Sequence, residues 1–294
     1  MIESKGWNWK IVEGKSEEMW KNPSIESYYL LNRWISQNKK DFLDLGCGLG
    51  RHSILFGKSN FSVNCFDISE EAINRTKNWA ESENLKFDYS IGDMLNLPYE
   101  DDNFDCILCR NVISHTDTEG MKKIAEEIYR VLRKDGECYL TLGSKDTFGF
   151  KQEDWPLVDN NTRLRMEEGS EYKVPHFFAD YKLIKKLFYK FEILDIYQVV
   201  NYYEKDNGLN ESYHYHVFRE ECAMLYSSFF LLSQQMIRQT FLHRVPFRIP
   251  HLLLYLFRDF IMHFNLCKGI YLAAADLKFY TFACMYPILK SMFN

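Results

Sequence analysis

Short apolar runs alternate with amphipathic segments along the first half of the chain. The apolar runs predict β-strands at 41–45, 61–66, 86–90, 104–109 and 137–142. The clearest helix is predicted at 118–132, where apolar residues recur on one face before Lys134-Asp135-Gly136 ends it. Ser69 is predicted to cap the N-terminus of another helix. This alternation predicts an α/β fold, with a sheet whose strands are joined by crossover helices.

The pattern changes after Leu142. A long polar stretch without clear periodicity follows, and a segment of this length exceeds a simple connection. We interpret residues 143–178 as an irregular, lid-like insertion. A helix at 181–189 and strands at 191–200 and 213–218 are predicted to complete the sheet.

Charge divides the chain into two regions. Residues 1–218 contain 28 Lys and Arg against 37 Asp and Glu, whereas residues 219–294 contain 8 against 4 and carry 15 aromatic residues. We therefore predict an α/β domain at 1–218 and a basic, aromatic-rich helical extension at 219–294. Asp276 and Lys278 interrupt the last apolar segment of the extension, which argues against a membrane-spanning helix.

The overall composition excludes several classes of protein. The chain of 294 residues is 46% hydrophobic and 26% charged, which excludes a disordered or coiled-coil protein. A formal net charge of -5 disfavours nucleic acid as a partner. Cys106 and Cys109 form a C-x-x-C, but no second pair stands at metal-ligand spacing, so the cysteines are predicted to be reduced core thiols. The first residues hold no apolar signal core, which predicts a cytoplasmic protein.

The most informative segment is an apolar strand that runs into Gly46-Cys47-Gly48-Leu49-Gly50 and then into a helix. Glycine is required where the backbone turns tightly or touches a ligand. The dinucleotide fingerprint G-x-G-x-x-G would place its third glycine where this chain has Arg51, which argues against a nicotinamide dehydrogenase. Asp44 gives instead the pattern acid-x-G-x-G-x-G, in which the acidic group can receive a cationic aminoacyl tail.

Two further carboxylates follow the next two strands. Asp67 ends the second strand, at the position from which an acidic side chain binds ribose hydroxyls. Asp93 and Met94 follow the third strand, where a carboxylate and a neighbouring amide can read an adenine edge. Taken singly, the glycines can mark a turn and both aspartates can cap helices. Their order and spacing at the carboxyl ends of strands favour a nucleoside site.

In this order the segments resemble the class I S-adenosylmethionine-dependent methyltransferases. The resemblance rests on DFLDLGCGLGRHS, FDIS, GDMLNLPYEDDNFDCILCRNVISH and VLRKDGE, within about residues 40–142. It implies a Rossmann-like sheet of seven strands with helices on both faces and an antiparallel last strand. It also implies S-adenosylmethionine as methyl donor and S-adenosylhomocysteine as product. A looser similarity, at WKNP from Trp20 and at VPHFF from Val174, is typical of a bacterial subfamily that methylates small molecules.

The resemblance also implies where the donor binds. Its methionine part is expected at Asp44, Gly46, Cys47 and Gly48, with Gly50 completing the loop, its ribose at Asp67, its adenine at Ile68, Asp93 and Met94, and its sulfonium above Arg110 and Asn111. Trp20 is expected in an N-terminal helix that folds over the donor, although core packing explains it nearly as well. The chain lacks the Asn/Asp-Pro-Pro-Tyr motif of base and amide N-methylating relatives. No metal site is predicted, because the strand pair His214 and His216 has no third ligand.

Methyl transfer from a sulfonium needs positioning, and a base when the acceptor is a hydroxyl. His115 follows the fourth strand and is the first candidate base, and His176 in the insertion is the second. The alternative for each is a capping or core histidine whose two nitrogens are satisfied.

The extension carries a second resemblance. Phe247-Arg248-Ile249-Pro250, LLLYLFRDFIMHF, KGIYLAAADLKFY and YPILK resemble the tail of bacterial membrane-associated family-two glycosyltransferases. This resemblance implies peripheral contact with the inner face of the cytoplasmic membrane and a glycan or lipid-linked saccharide acceptor. The alternative is a helical arm that packs on the α/β domain or on a second copy of the chain, as a homodimer.

The sequence thus predicts an S-adenosylmethionine-dependent methyltransferase that acts on an oxygen of a sugar, a glycan precursor or another small polar acceptor. A rival hypothesis is a non-catalytic subunit that binds an adenosyl ligand and acts through its helical extension.

Overall fold

The computed structural model describes residues 4–203 and 208–219. The helices predicted for the extension, its resemblance to glycosyltransferase tails, and its membrane and dimer interpretations lie outside the described residues. The two-domain division stays a prediction for the same reason. Within the described part, no helix combines the length and the hydropathy that crossing a membrane requires.

Strands and helices alternate through the described chain. The strands are β1 (Asp41–Leu45), β2 (Ser62–Asp67), β3 (Asp88–Ile91), β4 (Phe104–Cys109), β5 (Leu132–Ser144), β6 (Leu157–Asp159), β7 (Thr162–Leu164), β8 (Pro175–Ala179), β9 (Glu192–Tyr203) and β10 (Gly208–Phe218). The helices are α1 (Lys15–Trp20), α2 (Ile25–Ser36), α3 (Arg51–Gly57), α4 (Glu70–Ser82), α5 (Thr118–Val131) and α6 (Tyr181–Leu187). Single 3-10 turns form at Trp9–Ile11 and Phe148–Lys151. The predicted strands and helices of the α/β region are confirmed, with ends that differ by up to five residues, as at the starts of β5 and β10.

The main sheet has the arrangement that the first resemblance implied. Strands β3, β2, β1, β4 and β5 lie side by side and parallel. Strand β10 pairs antiparallel with β5, and β9 pairs antiparallel with β10. Within the described residues, seven strands therefore run in the order β3-β2-β1-β4-β5-β10-β9, and β10, the last of them in sequence, is antiparallel to β5. Because the first five strands are parallel, their carboxyl ends share one edge of the sheet, where ligands bind in open α/β folds.

The insertion contains three short strands, which corrects the prediction that residues 143–178 are irregular throughout. Its strands β6, β7 and β8 form an antiparallel ladder, and β8 pairs in parallel with Gly143 and Ser144 of β5. Gly143 also pairs with Ser212 of β10, so β8 must lie on the opposite side of β5, beyond the last residue that β5 pairs with β4. The insertion thus extends the sheet above the carboxyl end of β4. Strands of three residues are too short to show a hydrophobic period.

Alternation along the strands supplies a core on each face of the sheet. Leu43 and Leu45 of β1 join the core formed with α5 and α6, whereas Phe42 joins the core formed with α2 and α3. The amphipathic face predicted for α5 is buried in the first of these cores. Five cysteines among the described residues are free and buried, as predicted for core thiols.

A buried carboxylate fastens α2 to the sheet. Glu137 of β5 is 2% exposed and accepts hydrogen bonds from Arg33 Nε at 2.8 Å and Nη2 at 2.7 Å. Trp34 Nε1 and Gln37 Nε2 of the same helical segment also donate to it, each at 2.8 Å. A single acceptor group therefore serves three side chains, and its loss would leave all three without this partner.

We expect Glu137→Ala to lower the free energy of unfolding by about 3 kcal/mol, because breaking a buried ion pair strands the partner charge. Urea unfolding followed by circular dichroism measures the loss. Glu119→Ala is the control, since it removes an exposed carboxylate paired with Lys122 and should cost less than about 1 kcal/mol. Equal losses in the two variants would show that the Glu137 cluster does not stabilise the fold.

Candidate functional site

The glycine loop after β1 adopts left-handed backbone conformations, which residues with a side chain rarely adopt. Gly46 has φ of 78° and Gly48 has φ of 55°. A Cβ on Gly46 would stand 2.5 Å from Val112 Cγ1, and one on Gly48 would stand 2.8 Å from Trp9 Cζ2. Both positions therefore need glycine for conformation and for space, and the loop's backbone stays open toward the adjoining cleft.

Asp67 at the end of β2 holds this loop in place. Its Oδ2 accepts a hydrogen bond from Gly48 N at 2.9 Å, and its Oδ1 accepts one from Ser69 N at 2.9 Å. The amides of Gly46 and Cys47 donate to Phe66 O, at 2.7 and 3.0 Å. Burial raises the pKa of Asp67, while the backbone donors counteract that rise. The carboxylate lines the cleft beside the loop.

Asp44 lies beneath the loop and does not line the cleft. Its Oδ2 accepts hydrogen bonds from Ser53 N at 2.9 Å and from Ser53 Oγ at 2.6 Å, which ties β1 to α3. Burial raises the pKa of Asp44 to about 6, against the opposing effect of these hydrogen bonds. Its contact with the methionine part of a donor stays a prediction.

Most of the residues predicted to bind the donor meet around one cleft with an empty volume of about 610 Å³. The predicted residues that line it are Trp20, Gly46, Cys47, Gly48, Asp67, Ile68, Met94, Arg110, Asn111 and His115. We call this space the loop cleft.

Asp93 and Gly50 are not among the residues that line the loop cleft. Asp93 Oδ1 accepts a hydrogen bond from Leu95 N at 2.9 Å, so its carboxylate closes a local turn. This role resembles the helix-capping alternative that the sequence left open for Asp93. Gly50 has φ of 84° and precedes the first residue of α3.

The N-terminal segment supplies part of the loop cleft that the sequence analysis missed. Trp7 and Trp9 pack with Trp20, with ring centroids 4.7 and 5.9 Å from that ring. Gly6, Arg51 and His52 also line the cleft. The only signal in the sequence is the pair of tryptophans in GWNWK, and a 3-10 turn is too short to show a period.

Two arginines stand where the loop cleft meets its neighbour. Arg110 Nη1 donates to Asn111 Oδ1 at 2.6 Å, and Thr141 Oγ1 donates to the same oxygen at 2.9 Å. The Arg51 guanidinium lies 4.7 Å from the ring centre of Trp20. Burial, followed by the charge of Arg110, lowers the pKa of Arg51 to about 10, so it remains a cation at neutral pH.

A second, larger cleft contains both candidate bases. His115 and His176 are 61 positions apart in the sequence, yet their ring centroids lie 5.1 Å apart. His176 Nε2 is 3.4 Å and His115 Nε2 is 3.7 Å from Glu171 Oε1. Burial lowers the pKa of His176 to about 4 and lowers that of His115 well below its usual value, so both rings are neutral at pH 7. Glu171 was not predicted, because nothing in its local sequence distinguishes it from the neighbouring glutamates.

The two clefts share a boundary. The residues that line both are Trp7, Trp20, Arg51, Arg110, Asn111 and His115. A ligand on the glycine loop and a second molecule beside the histidines would therefore meet at this shared boundary. This arrangement suits transfer of a group between two bound molecules.

Comparisons with known proteins agree with the fold. A sequence family described as a methyltransferase domain matches residues 42–136. The norajmaline N-methyltransferase of Rauvolfia serpentina is 32% identical over 100 residues, which cover 33% of this chain and 33% of that protein. The ubiquinone biosynthesis O-methyltransferase of Coxiella burnetii is 32% identical over 106 residues, which cover 33% of this chain and 45% of that protein. The chain thus spans less than half the length of these curated relatives.

Solved structures extend the likeness beyond the matched segment. A crystal structure described as an S-adenosylmethionine-dependent methyltransferase from Methanosarcina mazei aligns with a TM-score of 0.52 at 23% identity, over 62% of this chain and 93% of that chain. Residues 42–136 thus match a methyltransferase domain, and the α/β part of the chain has the fold of the S-adenosylmethionine-dependent methyltransferases.

Proposed function

We propose that this protein transfers the methyl group of S-adenosylmethionine to a hydroxyl oxygen of a small polar acceptor. The single observation that carries the proposal is the boundary that the loop cleft shares with the second cleft. In-line displacement at a methyl carbon needs the nucleophile, the carbon and the sulfur nearly collinear, and two adjoining clefts suit that approach. A non-catalytic adenosyl-binding subunit would need no second cleft beside its ligand.

The donor is placed by the residues of the loop cleft. Its methionine part lies along the backbone of Gly46 and Gly48, where no Cβ intrudes. Its ribose hydroxyls donate to the carboxylate of Asp67. Its adenine lies beside Ile68 and Met94, two apolar residues that line the same cleft. The sulfonium then faces the boundary at Arg110, Asn111 and His115.

The acceptor occupies the second cleft. A hydroxyl must lose its proton to attack. The side chains of His115, His176 and Glu171 cluster in the second cleft, where they are placed to assist that loss. The similarity to the O-methyltransferase from Coxiella burnetii supports an oxygen acceptor. The similarity to the N-methyltransferase from Rauvolfia serpentina supports a nitrogen acceptor as the alternative. A sugar or glycan acceptor, a cytoplasmic location and membrane contact remain predictions of the sequence.

Asp67→Asn should weaken the binding of S-adenosylhomocysteine about 10- to 100-fold, because hydrogen bonds to a charged group contribute about 1.5–3 kcal/mol. Isothermal titration calorimetry measures the affinity, and the melting temperature verifies that the loop has not unfolded. Asp88→Asn, an exposed residue of β3, is the matched control and should change the affinity less than about threefold. An affinity of Asp67→Asn equal to that of the control would contradict the donor placement.

Asp44→Asn should stabilise the free protein while weakening donor binding. The raised pKa of Asp44 means that the folded state holds a proton between pH 3.8 and about 6 that the unfolded state has released. Stability from this group is therefore lost as the pH rises through that window, by about 3 kcal/mol at about 1.4 kcal/mol per unit. The asparagine side chain of the variant does not titrate, so the variant does not lose stability over this pH range.

The advantage of Asp44→Asn over the wild type should therefore grow between pH 4 and pH 6 and then stay constant, as measured by thermal unfolding at each pH. Weaker binding of S-adenosylhomocysteine would accompany it, because the donor's ammonium loses a nearby negative charge. A difference in stability that does not change with pH would show that Asp44 titrates normally.

His176→Asn should leave the affinity for S-adenosylhomocysteine within about threefold and reduce turnover about 100-fold or more, the usual contribution of a group that assists proton transfer. The residue lines the second cleft and not the loop cleft. Turnover is measured as methyl transfer to a panel of small hydroxyl acceptors. Glu153→Gln, exposed in the same insertion, is the control. Full turnover in His176→Asn would exclude this histidine from the reaction.

A further inference from the structure

Three side chains from distant parts of the chain converge in the second cleft. His115 follows β4, His176 lies in β8, and Glu171 precedes β8. One ligand-type atom from each residue lies within 4.8 Å of the other two, and the shortest of these separations involve Glu171 Oε1, at 3.4 and 3.7 Å. Ligands bonded to one metal ion at about 2.0–2.2 Å stand about 3–4 Å apart. The cluster therefore has nearly the spacing of a coordination shell.

The hydrogen bond on the other side of the His176 ring decides which nitrogen carries the proton. His176 Nδ1 lies 3.0 Å from Val174 O, and a carbonyl oxygen only accepts, so Nδ1 is assigned the hydrogen. A neutral imidazole has one ring N–H, which leaves a lone pair on Nε2. That nitrogen lies 3.4 Å from Glu171 Oε1, on the side of the ring that faces the cluster. A backbone carbonyl on the second nitrogen is the usual support of a metal-binding histidine.

Glu171 is itself held in position by the N-terminal segment and the insertion. Trp7 Nε1 donates to its Oε1 at 2.6 Å, and Arg165 pairs with its Oε2. Arg165 also pairs with Glu167, at 2.8 Å, so the charge of the arginine is shared between two carboxylates. These contacts orient the carboxylate, while a carboxylate oxygen retains a second lone pair for a metal.

We propose that His115, His176 and Glu171 bind one divalent transition-metal ion in the second cleft. Two imidazole nitrogens and one carboxylate oxygen suit zinc, manganese or iron, and three protein ligands leave coordination positions open. The open positions face the cleft in which the acceptor is placed. This role of the metal rests on the proposed function, whereas metal binding itself does not.

The metal would act on the acceptor hydroxyl. Coordination lowers the pKa of the hydroxyl, its proton passes to water in the open cleft, and the oxygen attacks the methyl carbon of the donor. The bond between carbon and sulfur breaks, and its electron pair stays on sulfur. The products are a methyl ether, S-adenosylhomocysteine and one proton, with no change in the oxidation state of the metal.

The test is a titration of the metal-free, purified full chain with zinc chloride by isothermal titration calorimetry. We expect one zinc ion per chain, and an affinity about tenfold weaker or worse in His176→Ala and in Glu171→Gln, since even supporting residues of metal sites change affinity 10- to 100-fold. Glu168→Gln is the matched control, because it removes the same charge from the same cleft outside the cluster. Cobalt(II) provides a second readout, since its visible absorption reports nitrogen and oxygen ligands and should disappear in His176→Ala.

Absence of zinc binding, or equal zinc affinity in the wild type, His176→Ala and Glu171→Gln, would overturn the metal site. Melting temperatures identify any variant that fails to fold, and Glu171→Gln keeps the shape of the side chain. Binding of S-adenosylhomocysteine to the metal-free chain separates the two proposals. Nucleoside binding without zinc binding would contradict only the metal site, and zinc binding without nucleoside binding would contradict only the donor site.

Discussion

The carboxylate of Asp67 is the interaction on which the loop cleft depends. It joins the end of β2 to the glycine loop after β1 through the Gly48 amide, and it caps the next turn through the Ser69 amide. The loop needs this anchor because its glycines have no side chains with which to hold themselves. Since β1 and β2 are adjacent and parallel, one carboxylate at their common edge fixes both the floor and one wall of the cleft. The same group is the one to which the proposed donor's ribose is assigned.

The buried charges around the cleft are costly, and their distribution suggests why they persist. Asp44 is almost fully enclosed, and burial raises its pKa to about 6 despite two hydrogen bonds from Ser53. Burial, followed by the charge of Arg110, lowers the pKa of Arg51 at the boundary between the clefts. Groups that reduce stability in this way are typical of sites that have to bind charged ligands. The core carboxylate Glu137 shows the opposite arrangement, because its three partner side chains satisfy it.

The N-terminal segment and the insertion meet over the site from opposite ends of the domain. Trp7 contacts Trp20 on one side and donates a hydrogen bond to Glu171 on the other. Asn8 N also donates to Ser170 O at 2.9 Å. The loop cleft and the second cleft are thus covered by one connected set of residues.

The sequence by itself determined the seven strands of the main sheet, the helices α3 to α6, and the glycine loop with Asp67. The repeat of apolar residues along a strand or helix reflects burial of one face. This repeat can be detected in segments as long as α5 or β4. The sequence could predict Asp44, Gly46 and Gly48 because residues at the end of one strand stay together in any fold of this class. It could predict Asp67 because that residue ends the next strand, at the same edge of the sheet. Even so, the sequence did not reveal that Asp44 points to Ser53 and away from the cleft, since side-chain direction depends on packing.

Only the tertiary structure decided the second cleft. The short strands of the insertion form because β5 extends far enough to pair with β8, a contact between residues about 35 positions apart that leaves no local period. In the sequence His115 and His176 were separate candidate bases, and Glu171 was unnoticed. They come together because the insertion folds back over the end of β4. Local patterns encode local structure, whereas a cluster drawn from two distant segments exists only once the chain has folded.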